Sequence, residues 1–311
     1  MKAIRIHDYG NSGALRYEDV PLPRIADDDV LVRVVASSIN PIDWKIRQGH
    51  LKGMLPFLLP LTLGWDLAGV VEAVGSAVKD FKPGDSVYSR PDIARDGTFA
   101  EYIAVREREL SPKPRGISYI DAASLPLAGI TAWQTLVEVG RLSAGQSVLI
   151  HAASGGVGSL AVQIAKSRGA RVIATTSAKN RDFVAALGAD EIVDYKTSRF
   201  EDAARGVDLV LDTLGGETQE RSWAVLRPDG LLVSIAQPPS EEKAKALGKR
   251  GAFVFIQPSR PILEKLTGLV EGGKLRPVIG AEYSLADVGK AQDFSATGRA
   301  VGKIAIYVGQ P

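Results

Sequence analysis

Between Val148 and Lys166 the chain reads VLIHAASGGVGSLAVQIAK, a succession of residue types able to hold a phosphate. Val148, Leu149 and Ile150 suit a buried strand, and from Val157 apolar residues recur at helical spacing through Leu160, Val162, Ile164 and Ala165. Between them Ser154, Gly155, Gly156, Val157 and Gly158 form a turn with little side chain in it. Backbone can there approach a pyrophosphate while the amides of the helix N-terminus face the anion. Ala153 stands where the first glycine of a G-x-G-x-x-G fingerprint would be. About 20 residues further on, NAD-binding chains usually carry an Asp or Glu for the ribose hydroxyls. This chain has Thr175, Thr176, Ser177, Ala178, Lys179 and Asn180 in that place. No carboxylate repels a 2′-phosphate, Ser177 can hydrogen-bond it, and Lys179, with Arg181 nearby, can neutralise it. The expected cofactor is NADPH rather than NAD.

Elements must position that turn, and the pattern supplies them. Apolar, β-branched runs at Val148 to His151, Arg171 to Thr176, Glu191 to Asp194, Asp208 to Asp212, Leu231 to Ile235 and Phe253 to Ile256 alternate with helix-compatible stretches. The helical stretches include Arg181 to Leu187, Glu217 to Leu226 and Pro261 to Glu271. That alternation is expected of an α/β, doubly wound parallel sheet. Gln237 to Arg250, QPPSEEKAKALGKR, reads as a surface linker between the fifth and sixth strands. Ahead of the sheet, short strands are predicted at Lys2 to Ile6, Val30 to Ala36, Gly69 to Val74, Ser86 to Tyr88 and Phe99 to Val105, punctuated by Pro, Gly and Asp. They suggest a barrel-like β domain. Val278 to Tyr283 and Lys303 to Val308 read as strands that return the C-terminus to it.

The composition narrows the function classes. The chain has 311 residues, enough for two domains, and a net charge of +2 with its charges interspersed, which suggests neither nucleic acid nor a membrane surface as partner. MKAIRIHDYG lacks the apolar core of a signal peptide, and the greasiest stretch, Met54 to Leu63, is broken by Pro56 and Pro60, so a cytoplasmic protein is expected. With no cysteine, disulfides, thiol nucleophiles and thiolate metal sites are excluded, and the three histidines (His7, His50, His151) are scattered. No metal site is expected.

The signature from Gly145 to Lys166, with Gln163 and Lys166 downstream of the glycines, resembles that of the medium-chain dehydrogenase/reductase superfamily. Within it the chain is similar to the zinc-free quinone oxidoreductases related to zeta-crystallin. Further matching blocks are Ser38 to Gly49 (SINPIDWKIRQG), Gly97 to Tyr102 (GTFAEY), Leu127 to Leu136 (LAGITAWQTL) and Gly298 to Lys303 (GRAVGK). The resemblance implies a GroES-like β-barrel catalytic domain, residues 1–118 and 275–311, and a Rossmann NADPH-binding domain, residues 119–274, in a protein whose relatives are often homodimers. In zinc-dependent relatives a Cys opens the block that here begins at Asn40, and a His-Glu pair stands where Trp65 and Asp66 follow Gly64. Without a Lewis acid, the hydride acceptor must already be electrophilic, as quinones and α,β-unsaturated carbonyls are.

The resemblance also suggests roles. Asn40 can donate to a substrate oxygen where relatives use a metal, although Asn before Pro is equally at home in a turn. Asp43 is expected to orient neighbours, with a direct acid/base role the less favoured alternative. His50 can protonate an enone after hydride delivery, or be an exposed loop residue. Trp65 can wall a pocket or pack a core, and Met54 to Leu63 can rim its entrance or be buried in the core. On the cofactor side, Thr131 should approach the nicotinamide or its phosphates, and Tyr195 the adenine or 2′-phosphate. Leu214 and Gly215 should lie at the crossover after the fourth strand. Phe255 and Ile256, in the sixth strand, should pass the nicotinamide, and Lys303 should close over it. The reading is an NADPH-dependent oxidoreductase acting on a quinone or an enone/enal. Its rivals are a non-catalytic NADPH-binding sensor or structural protein, and a reductase of simple carbonyls.

Overall fold

Alternating apolar residues punctuated by Pro and Gly make the first part of the chain a series of strands: β1 (Lys2–Ile6), β2 (Leu15–Asp19), β3 (Asp29–Ile39), β4 (Leu61–Thr62), β5 (Leu67–Val74), β6 (Ser86–Ser89), β7 (Tyr102–Arg106) and β8 (Leu110–Pro112). The structure is a computed structural model and describes residues 1–55 and 57–311. The expected pocket rim, Met54 to Leu63, therefore contains one residue, Pro56, outside the described residues. Helix α1 (Pro41–Arg47) follows β3, and α2 (Tyr119–Ala123) and α3 (Pro126–Trp133) follow β8. The chain divides into two compact units, Met1–Ala128 with Gln257–Gly272 and Pro277–Pro311, and Gly129–Ile256 with Gly273–Arg276.

The second unit alternates β9 (Ser147–Ile150), α4 (Gly156–Ser167), β10 (Arg171–Thr176), α5 (Arg181–Ala186), β11 (Glu191–Asp194), α6 (Phe200–Ala203), β12 (Val207–Asp212), α7 (Gly216–Ser222), β13 (Leu226–Ser234), α8 (Glu241–Ala246) and β14 (Arg250–Phe253). The sheet is parallel in the order β11-β10-β9-β12-β13-β14, a doubly wound arrangement whose connections reverse between β9 and β12. Ligands of such sheets bind outside the carboxyl ends of the strands at that reversal.

Two expectations for this unit are corrected. The sixth strand ends at Phe253, so Phe255 and Ile256 lie beyond it; β13 ends at Ser234, opposite Phe253, and leaves the following apolar residues no ladder to join. The Gln237 to Arg250 linker contains α8, capped by Ser240, whose side chain accepts from the Lys243 N–H, with Glu241 and Glu242 in the first turn.

The chain then returns to the first unit through α9 (Arg260–Glu271), β15 (Ile279–Ser284), α10 (Val288–Ala296) and β16 (Lys303–Tyr307). The sequence pattern puts Pro261 to Glu271 with the nucleotide-binding part, whereas α9 groups with the first unit: Tyr88 Oη donates to the Leu263 carbonyl at 2.6 Å and Arg260 pairs with Asp80 at 2.6 Å. The larger sheet runs β15-β16-β3-β5-β6-β8 with β7 also on β3, and β2-β1-β4 form a smaller one. β3 is buried along almost its whole length, consistent with its nearly unbroken apolar and small residues. Its C-terminal end pairs antiparallel with β16, Ile304 facing Ile39, and with β5, Ala68 facing Ala36.

Candidate functional site

Those two registers bring polar residues from three strands to one place. Lys303 precedes Ile304 and so stands beside Asn40, while Asp66, just before β5, falls opposite Ser38. All four are buried, with exposures of 0–4%. Asp66 Oδ2 accepts from Ser38 Oγ (2.5 Å), Asn40 Nδ2 (2.7 Å) and Lys303 Nζ (3.0 Å), and its Oδ1 from the Leu127 amide (2.7 Å). Lys303 gives its other protons to Asn40 Oδ1 (2.5 Å) and the Ile39 carbonyl (3.1 Å). A buried ammonium has three donors, and here three acceptors meet them.

This arrangement decides what Asn40 can do. Its amide oxygen is held by Lys303 and one N–H by Asp66, which leaves a second N–H without a partner among the described residues. Asn40 is also the N-cap of α1, with Pro41 opening the helix and Asp43 at the third helical position completing a capping box. Asp43 Oδ2 accepts the Asn40 backbone N–H at 2.7 Å. Asp43 is completely buried, Oδ1 meets no donor among the described residues, and burial pushes its carboxyl up to about 8 despite the nearby Lys303. It orients the backbone at Asn40.

Three other expected residues stand differently. Lys303 is buried in the cluster, its ammonium held by Asp66, Asn40 and the Ile39 carbonyl. Trp65 is fully buried in the core with Ile46, Leu63 and Phe99, its ring 6.5 Å from that of Phe57. His50 is exposed in the turn after α1, edge-on to Trp44 at 6.3 Å. Met54 and Leu58, on the expected rim, are 74% and 84% exposed. Sequence reasoning misses Asp66 and Ser38. The signal is a carboxylate kept beside a lost metal ligand, and only strand register shows that it answers Lys303.

In the second unit the cradle follows β9. Gly155, extended at the N-cap, opens α4, and Ser154, Gly155, Gly156 and Val157 remain partly exposed. A Cβ on Gly158 would lie 2.3 Å from the Ala152 carbonyl oxygen, so only glycine lets the helix start this close to the turn. The first amides of α4 lack intrahelical acceptors and face an open edge. Ser177 is buried at the end of β10, whereas Lys179 is exposed with no ion pair among the described residues. A glycine cradle, a hydroxyl and a free cation, with no carboxylate among residues 175–180, fit NADPH.

Around the same edge Tyr195 is 59% and Leu214 55% exposed after β11 and β12. Gly215 takes φ 72°, and its amide and that of Leu214 donate to Asp212 Oδ1 at 2.8 and 3.0 Å. Asp212, inconspicuous in the sequence, also accepts from Gln219 (2.9 Å) and Ser234 (2.7 Å) through Oδ2. Thr131 is buried within α3, Ile256 is buried and Phe255 is 43% exposed.

Known proteins share this architecture. Residues 26–115 match the family described as alcohol dehydrogenase GroES-like domain, and residues 187–306 that described as zinc-binding dehydrogenase. The chain is 36% identical over 318 residues to an NADPH-dependent alkenal/one oxidoreductase, chloroplastic, of Arabidopsis thaliana, covering 99% of this chain and 79% of that protein. A quinone oxidoreductase structure from Coxiella burnetii superposes with a TM-score of 0.92 at 35% identity, covering 99% of both chains. An Escherichia coli quinone oxidoreductase complexed with NADPH gives 0.91 at 26% identity, over 99% of this chain and 100% of the other.

Proposed function

Because the chain belongs to the zinc-free quinone oxidoreductases of the medium-chain dehydrogenase/reductase superfamily, we propose that it is a zinc-independent, NADPH-dependent oxidoreductase delivering hydride to a quinone or to the activated alkene of an enone or enal. The observation that carries this reading is the buried cluster at Asn40. Where zinc relatives place metal ligands, the chain presents an amide with one N–H to spare, held in a fixed orientation by Lys303 and Asp66. Bound NADPH supplies the hydride from its nicotinamide C4.

The chain's own residues bind and orient. Asn40 donates to the acceptor oxygen as negative charge develops, and Asp43, through the Asn40 backbone, and Trp65, through the core, keep it in place. His50 is the proton source for the carbon of a reduced alkene, from a position open to solvent. Ser154, Gly155, Gly156, Val157 and Gly158 cradle the phosphates, and Ser177 and Lys179 take the 2′-phosphate. Thr131, Tyr195, Leu214, Gly215, Phe255 and Ile256 line the remainder of the nucleotide, and Lys303 acts through Asn40. Residues 1–118 and 275–311, together with α9, would carry the acceptor, and the rest of 119–274 the cofactor.

A cytoplasmic homodimer belongs to the same proposal, and no helix among the described residues is long and apolar enough to cross a membrane. The test is to follow absorbance of the reduced nicotinamide with a quinone, a linear enone and a saturated aldehyde. Oxidation with the first two supports the proposal. Tight binding without oxidation would mean a sensor, and preference for the aldehyde a carbonyl reductase.

A further inference from the structure

We propose that His151 is a positioning residue for NADPH: as a neutral imidazole it fastens the phosphate turn and the neighbouring crossover to the end of β9. The inference rests on reading that edge as the nucleotide site. His151 is 1% exposed, and both ring nitrogens are within hydrogen-bond distance of a hydroxyl, Nε2 at 2.9 Å from Ser222 Oγ and Nδ1 at 3.2 Å from Thr175 Oγ1.

The direction of each bond follows from its neighbours. Ser222 Oγ gives its proton to the Thr218 carbonyl at 2.6 Å, so toward His151 it accepts and Nε2 carries the hydrogen. Nδ1 is then bare and accepts from Thr175, whose oxygen in turn accepts the Ala152 amide at 3.2 Å. The chain thus runs without a gap from the turn, through β10 and the imidazole, to α7.

What this chain holds is a strained place. Ala152 sits at φ 49°, a left-handed conformation that residues with a Cβ seldom adopt. Its carbonyl accepts from the Gly155 amide at 2.9 Å and is the atom against which Gly158 closes. The His151 backbone serves the other side, its carbonyl accepting from Thr213 Oγ1 at 3.1 Å just ahead of Leu214 and Gly215. A proton on Nδ1 would oppose the Thr175 hydroxyl and undo the relay. The environment resists that: burial pushes the imidazole down to about 4 despite Asp212 on β12, with smaller opposing effects from Glu201 on α6, which raises it, and Arg221 on α7, which lowers it. The last two are paired at 2.7 Å, and the Phe200 ring stands edge-on to the imidazole at 4.8 Å.

The test uses the full chain. His151→Phe retains a ring and loses both bonds, and NADPH Kd by fluorescence titration should rise about tenfold, with kcat at saturating NADPH within about twofold of wild type. His151→Gln, whose amide can donate toward Ser222 and accept from Thr175, should recover most of the affinity. Thr175→Val should reproduce the loss, and the double variant should be no worse than either single one, since both cut the same relay. Amide hydrogen exchange at Ala152 and Gly155, measured without nucleotide, should accelerate in His151→Phe. Unchanged exchange and unchanged Kd in folded His151→Phe, or losses that simply add in the double variant, overturn the proposal. Accelerated exchange in a protein whose wild type binds no NADPH would uphold the positioning and overturn the nucleotide reading instead.

Discussion

An amide has two nearly identical ends, and what Asn40 offers a substrate depends on which is already bound. Lys303 has no acceptor capacity, so it must take the oxygen, and the carboxylate of Asp66 must take an N–H; the spare group is a donor by elimination. Asn40→Ala is expected to lower turnover on an enone by about a hundred- to a thousandfold, the usual cost of an oxyanion donor. NADPH affinity should change little, which steady-state kinetics beside fluorescence titration would check. Quinones should show less, since their reduction leans less on one donor. If turnover is unaltered on every accepted substrate, Asn40 is only the residue that starts α1. Lys179 poses a simpler question, because it is exposed and unpaired among the described residues. NADPH should bind at least about tenfold more tightly than NADH, and Lys179→Ala should remove most of that difference, one charge-assisted contact being worth about 1.5–3 kcal/mol. Equal wild-type affinities for the two nucleotides would refute the assignment.

At the scale of elements, function depends on how closely a strand, a turn and a helix start can approach. Gly158→Ala would place a methyl 2.3 Å from the Ala152 oxygen and 2.7 Å from the Ala153 Cα, both backbone atoms that cannot swing aside. The turn must open, and NADPH affinity should fall by about tenfold or more while far-UV circular dichroism stays that of the wild type. Retained affinity would mean that the amides of α4 do not hold the phosphates. The strand β10 and the glycine turn were legible from composition because their signals are local: an apolar run, then residues without bulk. The end of β14 was not, because a parallel strand lasts only as long as its neighbour, and Phe255 and Ile256 look as strand-like as the residues that pair. Helix α8 had a readable start in Ser240 and its two glutamates, hidden by the prolines before it.

For the whole molecule, two buried groups give stability a pH dependence of opposite sign. The His151 imidazole titrates at about 4 in the folded chain against its ordinary 6.5, so the unfolded chain binds more protons between those values and stability rises with pH across them. Asp43 titrates at about 8 folded against an ordinary 3.8, so there the folded chain binds more protons and stability falls as pH rises. The two slopes oppose each other up to pH 6.5, above which Asp43 acts alone. Thermal midpoints should therefore decline from pH 6.5 to 8, by about 2 kcal/mol of stability, and the decline should vanish in Asp43→Asn. A wild-type midpoint that is flat over this range would show that Asp43 is ionised throughout. The amino-acid sequence by itself determined the doubly wound sheet, the phosphate turn and the missing acid after β10, since each is written in residues close together along the chain. Tertiary structure alone decided that Lys303 meets Asn40, that Asp66 is the hub between them, and that Trp65 is buried in the core. Those residues are brought together by the antiparallel registers of β3 with β5 and β16, and a register shifted by one residue would turn the same side chains to the opposite face.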